Sequence, residues 1–509
     1  MNDRTARKIK LGMFLRPAGH HIAAWRHPDA QADAGFNFAH FRELAQTAER
    51  GLFDMLFLAD TSAVPIENLA RASQTTYVAW VEPFTAMVAL AGVTKNVGLI
   101  CTASTTFEEP FNVARKFASL DIVSGGRGGW NLITSSNPLE WQNFNAEKAT
   151  KREQRYARAR EFAEVVRGLW ESWDADAFVI DKESGRFFDP RKVHVLNHQG
   201  EFFRCRGPLN VARSPQGRPV LVQAGASEDG KNLAAETADV VFAAAPTLEG
   251  AREFYADVKR RVALCGRDPA EVVIMPGFQV TVGRSEQEAV DKFNMLQELI
   301  PPEVGLQHLS QYIGHDLTGC AIDGPLPDIP LTDVAFSRTE LLVNLARRES
   351  LTVRQLYQRI SGGRGHFQTH GTPKQVADMM EEWFTTGAAD GFNFMAPVFP
   401  VGLEDFIELV VPELSVAVSI EPGTRETRCV PISGWDSRHH LSRWKRVMRR
   451  LHRSVRLMGQ DGWHHTEISR RQCGRSLRRP LPPLGDTSLA CRDPARPITT
   501  MPPSAKRNG

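Results

Sequence analysis

Along most of the chain, short continuous apolar runs alternate with longer stretches in which apolar residues recur every three or four positions. The runs are 9–15 (IKLGMFL), 54–59 (DMLFLA), 97–103 (VGLICTA), 129–134 (GWNLIT), 219–224 (PVLVQA), 239–244 (DVVFAA), 272–282 and 391–397 (GFNFMAP). Unbroken apolarity of this kind fits strands covered on both faces. The intervening spacing fits helices such as 38–50 (FAHFRELAQTAER) and 155–173 (RYARAREFAEVVRGLWESW). Strands and helices in alternation predict an α/β fold of βαβ units, closed as a TIM (β/α)8 barrel.

Two connections exceed what a minimal barrel needs. One, 173–218, contains DKESGRFFDP and NHQGEFFRCRGPLN. The other, 284–390, is expected to be helical around IPPEVGLQHLSQYIGHDL and GGRGHFQTHGTPKQVADMMEEWF. Long insertions in a barrel usually build pockets or lids, because the chemistry sits on the loops that follow the strands.

Composition adds limits. With 42% hydrophobic and 24% charged residues, the 509-residue chain has ample core for a soluble enzyme. No apolar run approaches the roughly 18 residues that span a bilayer, and the start, MNDRTARKIKLGMFL, lacks the apolar stretch of a signal peptide. Seven cysteines without a CxxC pair or metal-ligand spacing suit a reducing compartment. A cytoplasmic protein without membrane or metal is expected, as a homo-oligomer (dimer or tetramer). The net charge of +3 hides an asymmetry: residues 415–509 hold 19 Lys and Arg against 7 Asp and Glu, leaving 1–414 with 43 against 52. A basic end of this kind raises nucleic acid as a partner, a reading set aside below.

Candidate chemistry gathers where the strands end. Asp60 closes DMLFLAD, Thr105 lies in VGLICTASTT, and Asn131 and Ser135 lie in or after GGWNLITSS. These are small donors and acceptors without an evident acid–base pair, which suits holding a cofactor, although helix caps also make strand ends polar. QAGASEDG follows one strand and opens a helix. Its backbone N–H groups at Ala226 and Ser227, with the Ser227 hydroxyl, form either a phosphate seat or an ordinary βα turn with Ser227 as N-cap. Tyr156 and Arg160, four apart, share a helix face that suits an anion or is simply a solvated flank. GxGxxG after a strand, a P-loop and GxSxG are all absent from the sequence.

The segments GMFLRPAGHHIAAWRHP, TASTTFEEPFNVARKFASLDIVSGGRGGWNLITSS, RYARAREFAEVVRGLWESW, KESGRFFDP, VQAGASEDG and GTPKQVADMMEEWFTTGAADGFNFMAP occur in that order between about residues 8 and 414. Together they resemble the bacterial-luciferase-like flavin monooxygenases, and within them the nitrilotriacetate and dibenzothiophene-sulfone monooxygenase family. The resemblance implies a TIM barrel that takes FMN, as FMNH2, at its C-terminal face. Asp60 and Thr105 would lie beside the isoalloxazine ring and Asn131 and Ser135 further along the flavin. Tyr156, Arg160, Ala226 and Ser227 would hold the ribityl chain and phosphate. His20 or His21 matches a histidine before WRHP, and His315 one near the substrate. The implied partner is a separate NAD(P)H:flavin reductase supplying FMNH2, which reacts with O2 to a C4a-hydroperoxyflavin that oxidises a small xenobiotic-type substrate at a C–N or C–S bond. The stretch WNLITSSNPLEWQNFNAEKATKRE departs from the family's more acidic sequence. A deazaflavin-dependent oxidoreductase of the same superfamily and a non-catalytic flavin-binding protein are the alternatives.

The barrel domain is expected to span 1–414, followed by a basic, disordered tail, 415–509. SVAVSIEPGTRETRCVPISGW can be encoded so that the neighbouring frame reads QRRGLYRTGYEGNTLRAHLGL, which resembles the family's C-terminus, and one base deleted from CTGCAG at Leu414 and Ser415 suffices. The tail is accordingly read as out-of-frame translation, whose charge carries no information about nucleic acid.

Overall fold

The computed structural model describes residues 8–417 except 65, 67–68, 145–149, 330–335 and 364. The tail 415–509 therefore lies almost wholly outside the described residues. Eleven strands are present among those described: β1 Lys10–Phe14, β2 Met55–Leu58, β3 Gly98–Ser104, β4 Gly128–Ile133, β5 His198–Gln199, β6 Arg204–Cys205, β7 Val220–Gln223, β8 Val240–Ala243, β9 Val273–Val282, β10 Phe367–Gly371 and β11 Gly391–Phe394. Parallel pairing runs β1-β2-β3-β4-β7-β8-β9-β11, and β11 pairs back onto β1, closing an eight-stranded TIM barrel. All eight strands expected from the apolar runs are barrel strands.

The pleat divides each strand between two cores. Leu11 and Met13, Leu56 and Leu58, Leu99 and Cys101, and Trp130 and Leu132 face the helices in the largest cluster. Phe14, Met55, Phe57, Ile100, Val222, Phe242, Met275 and Met395 point into the barrel and pack on one another. Burial on both faces is why these strands read as unbroken apolar runs. Each fully buried Leu or Phe contributes about 1.5–3 kcal/mol.

The insertions depart from expectation in one place. The helix Pro302–Ile313 forms where the sequence predicted one, and with the helices Phe336–Glu349 and Val353–Ile360 it builds a second core that also takes in Ile22 and Ala23 from the loop after β1. GGRGHFQTHG, however, is not helical. It runs through a turn into β10, which pairs parallel with β9 as a ninth strand, and the helix starts only at Pro373. The Thr372 side chain caps that helix, in a capping box with Gln375.

β10 matters for the site because it delivers His366, just before it, into the barrel. The His366 ring stacks on Phe242 with centroids 5.0 Å apart and planes at 9°. Glycine at 277 makes the room: a Cβ there would stand 2.3 Å from His366 Nδ1. Gly12 plays the same part for Asn393, whose Oδ1 would lie 2.9 Å from an added Cβ.

Candidate functional site

Two groups of polar side chains occupy the C-terminal ends of the strands. The first joins β7 to the helix Arg152–Trp170. Ser227 caps the helix Glu228–Thr237, its hydroxyl accepting from the Gly230 N–H at 3.2 Å. The Tyr156 hydroxyl lies 3.3 Å from Ser227 Oγ. Of the two readings of QAGASEDG, the N-cap is observed, and the same residue presents its hydroxyl beside a phenol at a helix N-terminus. Ala226 is exposed next to it. Glu228 and Asp229 would oppose an anion there, but each is paired: Asp229 with Arg152 at 3.0 Å, and Glu228 with Lys231 and with Arg261. A helix start whose own acids are neutralised keeps its affinity for an anion.

Arg160, which shares a helix face with Tyr156, is engaged by an acid of the neighbouring helix. Its Nε pairs with Glu236 Oε2 at 3.1 Å, one turn further along the helix. The guanidinium nearest the Tyr156 ring on the opposite turn is Arg152, 5.9 Å from its centroid, a residue the sequence reading passed over although it too lies four positions from Tyr156.

The second group lies across β2, β3 and β4. Asn131 is buried inside the barrel wall, donating through Nδ2 to Thr102 Oγ1 at 2.8 Å, and Thr102 donates to the Leu58 carbonyl at 2.9 Å. The Asn131 Oδ1 has no protein partner. Thr105 is buried, its hydroxyl and N–H both directed to the Ile133 carbonyl, and Ser135 Oγ bonds Ser104 Oγ at 2.9 Å. Asp60 and Ser135 line a cavity of ≈ 230 Å3 together with Glu82, Glu140 and the ring of Phe107, which stacks on Phe144 at 4.3 Å. Burial, with the nearby carboxylates of Glu82 and Glu140 adding to it, pushes the Asp60 carboxyl up to about 6. Glu82 and Glu140 escaped the sequence reading because their closeness to Asp60 is made by tertiary folding alone.

The structure also separates the two adjacent histidines. His20 is buried at the end of β1, its ring 4.5 Å from Phe14 and edge-on to it. Its Nε2 lies 2.8 Å from the Phe14 carbonyl; since a carbonyl only accepts, Nε2 carries the proton and Nδ1 is the acceptor. Phe14 belongs to the barrel interior, so His20 faces the mouth. His21 is fully buried, accepts the Ala23 N–H on Nδ1 at 3.2 Å, and is pushed down to about 4 by burial, partly offset by Gln297. His315 is exposed, immediately after the left-handed Gly314 that ends the helix Pro302–Ile313. Among the described residues no cluster of three or more His, Cys, Asp and Glu could hold a metal, and no helix is long and apolar enough to cross a membrane.

A closed parallel barrel with hydroxyls gathered at a helix start and a polar pocket among its strand ends has the architecture of a TIM-barrel enzyme. Residues 18–390 match the family of luciferase-like monooxygenases, and the chain belongs to that family. It is 51% identical over 411 residues to N-acetyl-S-(2-succino)cysteine monooxygenase of Bacillus subtilis (strain 168), covering 80% of this chain and 92% of that one. Over 417 residues it is 46% identical to nitrilotriacetate monooxygenase component A of Aminobacter aminovorans, with the same coverage. The crystal structure of DmoA from Hyphomicrobium sulfonivorans superposes with a TM-score of 0.74 at 33% identity, covering 82% of this chain and 91% of that one. The protein is thus a monooxygenase of the luciferase-like type, as its motifs implied.

Proposed function

We propose that this enzyme takes reduced FMN from a separate NAD(P)H:flavin reductase and uses it to insert one atom of O2 into a small organic substrate at a C–S or C–N bond. The observation that carries this reading is the Tyr156–Ser227 hydroxyl pair at a helix N-terminus, set on the same barrel face as the unsatisfied Asn131 Oδ1. A terminal phosphate suits the first, and a ring N–H would satisfy the second; the residues present fit FMN at both ends. When bound, the reduced flavin supplies the electrons that activate oxygen.

The chain's own groups do the holding and the exclusion of water. Ser227 and Tyr156 would donate to the phosphate, with Arg152 neutralising Asp229 beside them, and Asn131, kept in place by Thr102, would accept from the ring. Phe14, Phe57 and Phe242 keep the floor apolar. His20, set against Phe14 at the barrel interior, would lie beside the substrate. The two curated relatives named above act, by their names, on a thioether and on a tertiary amine that both bear carboxylates, and this supports a carboxylated substrate here. Arg16, two residues past β1, is a suitable cation. Its guanidinium sits 3.9 Å over the Tyr77 ring, and the Tyr77 hydroxyl donates to the His20 carbonyl at 3.0 Å.

The test is oxygen uptake with FMN, NADH and a generic flavin reductase on a panel of carboxylated thioethers, aminopolycarboxylates and sulfones. Substrate-dependent uptake that disappears without the reductase is expected. Rapid NADH oxidation by the isolated chain, or no response to any substrate, overturns the reading.

A further inference from the structure

Three carboxyl groups from three different connections face one cavity. Asp60 lies two residues past β2, Glu82 precedes the helix Pro83–Ala91, and Glu140 lies in the short helix Pro138–Gln142 after β4. The other charged groups lining the cavity, Glu108 and Lys116, pair with each other at 3.3 Å. No cation among the described residues forms an ion pair with Asp60.

The three acids are not equivalent. Glu82 is a helix cap whose two oxygens accept the N–H groups of Phe84 and Thr85 at 2.8 and 2.7 Å. Glu140 is buried, and its Oε1 accepts the Ser62 N–H at 2.9 Å, while the Asn143 side chain donates to the Ser62 carbonyl at 2.7 Å. The loop that carries Asp60 is thereby fastened across the cavity to the connection after β4. All three acids accept N–H donors, Asp60 from Thr61. At Asp60, burial and the neighbouring carboxylates outweigh that bond and push the carboxyl up, so a proton there relieves the repulsion.

We propose that Glu140 is a positioning residue that fixes the Asp60 loop and sets Asp60 to take up a proton when an anionic ligand enters the cavity. A neutral Asp60 offers one O–H to an oxygen or nitrogen acceptor, whereas its carboxylate can only accept and repels an anion. The proton comes from solvent and stays on the Asp60 carboxyl, so no bond other than O–H forms. This inference rests on the reading of the mouth as a reduced-flavin site, because reduced flavins carry negative charge on the ring at neutral pH.

The test uses the full chain with 13C-labelled aspartate and no added flavin, the Asp60 signal being identified by its loss in Asp60→Asn. The wild-type carboxyl should titrate near pH 6. The midpoint should fall in Glu140→Gln, which keeps an oxygen for the Ser62 N–H and so separates charge from tether, and again in Glu82→Gln on a different helix. An ordinary carboxylate midpoint in the wild type, or a midpoint unmoved in both variants, overturns the proposal. Anaerobic calorimetry with reduced FMN, in buffers of different ionisation enthalpy, should then show proton uptake that shrinks in Glu140→Gln. Binding of reduced FMN without proton uptake would sink the inference and leave the flavin reading standing. A shifted, Glu140-dependent titration without any FMN binding would do the reverse.

Discussion

At the Tyr156–Ser227 end of the mouth charges come in pairs, Arg152 with Asp229, Arg160 with Glu236, and Lys231 with Glu228 and Asp257. At the Asp60 end three carboxyl groups share a cavity with one cation that another glutamate already holds. The first region is electrostatically settled before any ligand arrives, and what it offers is hydroxyls and a helix start. The second is left under tension, with a raised carboxyl and, close by in β4, an amide oxygen lacking a partner. A permanent, fully charged group such as a phosphate is best met by preorganised donors. A group whose charge varies with redox state is better met by side chains that can adjust theirs.

The largest effect expected from this contrast is on cofactor affinity. Tyr156→Phe with Ser227→Ala removes both hydroxyls, and FMN binding should weaken by about 1–3 kcal/mol, roughly 5- to 150-fold, the usual loss for hydrogen bonds to charged groups. Fluorescence-quenching titration measures it, with circular dichroism to correct for the lost N-cap. Unchanged affinity would remove the phosphate seat from the comparison.

At the other end the effect is on pH dependence. Folded Asp60 keeps its proton to about pH 6, against the ordinary value of 3.8. Between those values the folded state binds more protons than the unfolded, so Asp60's contribution to stability is whole below 3.8 and is lost as pH rises through 6. Asp60→Asn should therefore raise the melting temperature at pH 7 and leave it nearly unchanged at pH 4. Equal shifts at both pH values would mean that the region is not strained as described.

The smallest effect is expected for Arg160→Ala. Its ion pair with Glu236 is about a third exposed at both partners, and such pairs are worth about 0.2–1 kcal/mol. Added to Ser227→Ala, it should weaken FMN binding no more than a few-fold. A tenfold or larger additional loss would return Arg160 to the phosphate.

What the sequence revealed follows the same physical line. The eight barrel strands were legible because burial on both faces leaves no polar alternation to confuse. β10 was not, since its FQTHG is mostly polar, only partly buried and preceded by glycines. The positions of Asp60, Thr105, Asn131, Ser135 and Ser227 at strand ends and a helix start were legible because such ends are marked locally. Glu140 could not, because it reaches Ser62 across 78 residues of sequence. His20 and His21 are neighbours in one loop, and only the fold turns one to the barrel and buries the other toward Gln297. For 415–509 we propose out-of-frame translation; a gene sequence across Leu414 that cannot be read as QRRGLYRTGYEGNTLRAHLGL in the neighbouring frame rules it out.

The stacking of His366 on Phe242 bears on how such an enzyme could be re-engineered. The connection 284–390 looks like a detachable module, with an apolar core that borrows only Ile22 and Ala23 among its buried residues from the loop after β1. Yet β10 threads back from it to place His366 against the inner wall, in space that Gly277 leaves open. A transplanted connection would therefore bring its own piece of the floor, and would have to match the host at position 277 as well as at the rim. The practical boundary for grafting falls before β10, with the residues up to Gly365 exchangeable and those from His366 onward kept with the barrel.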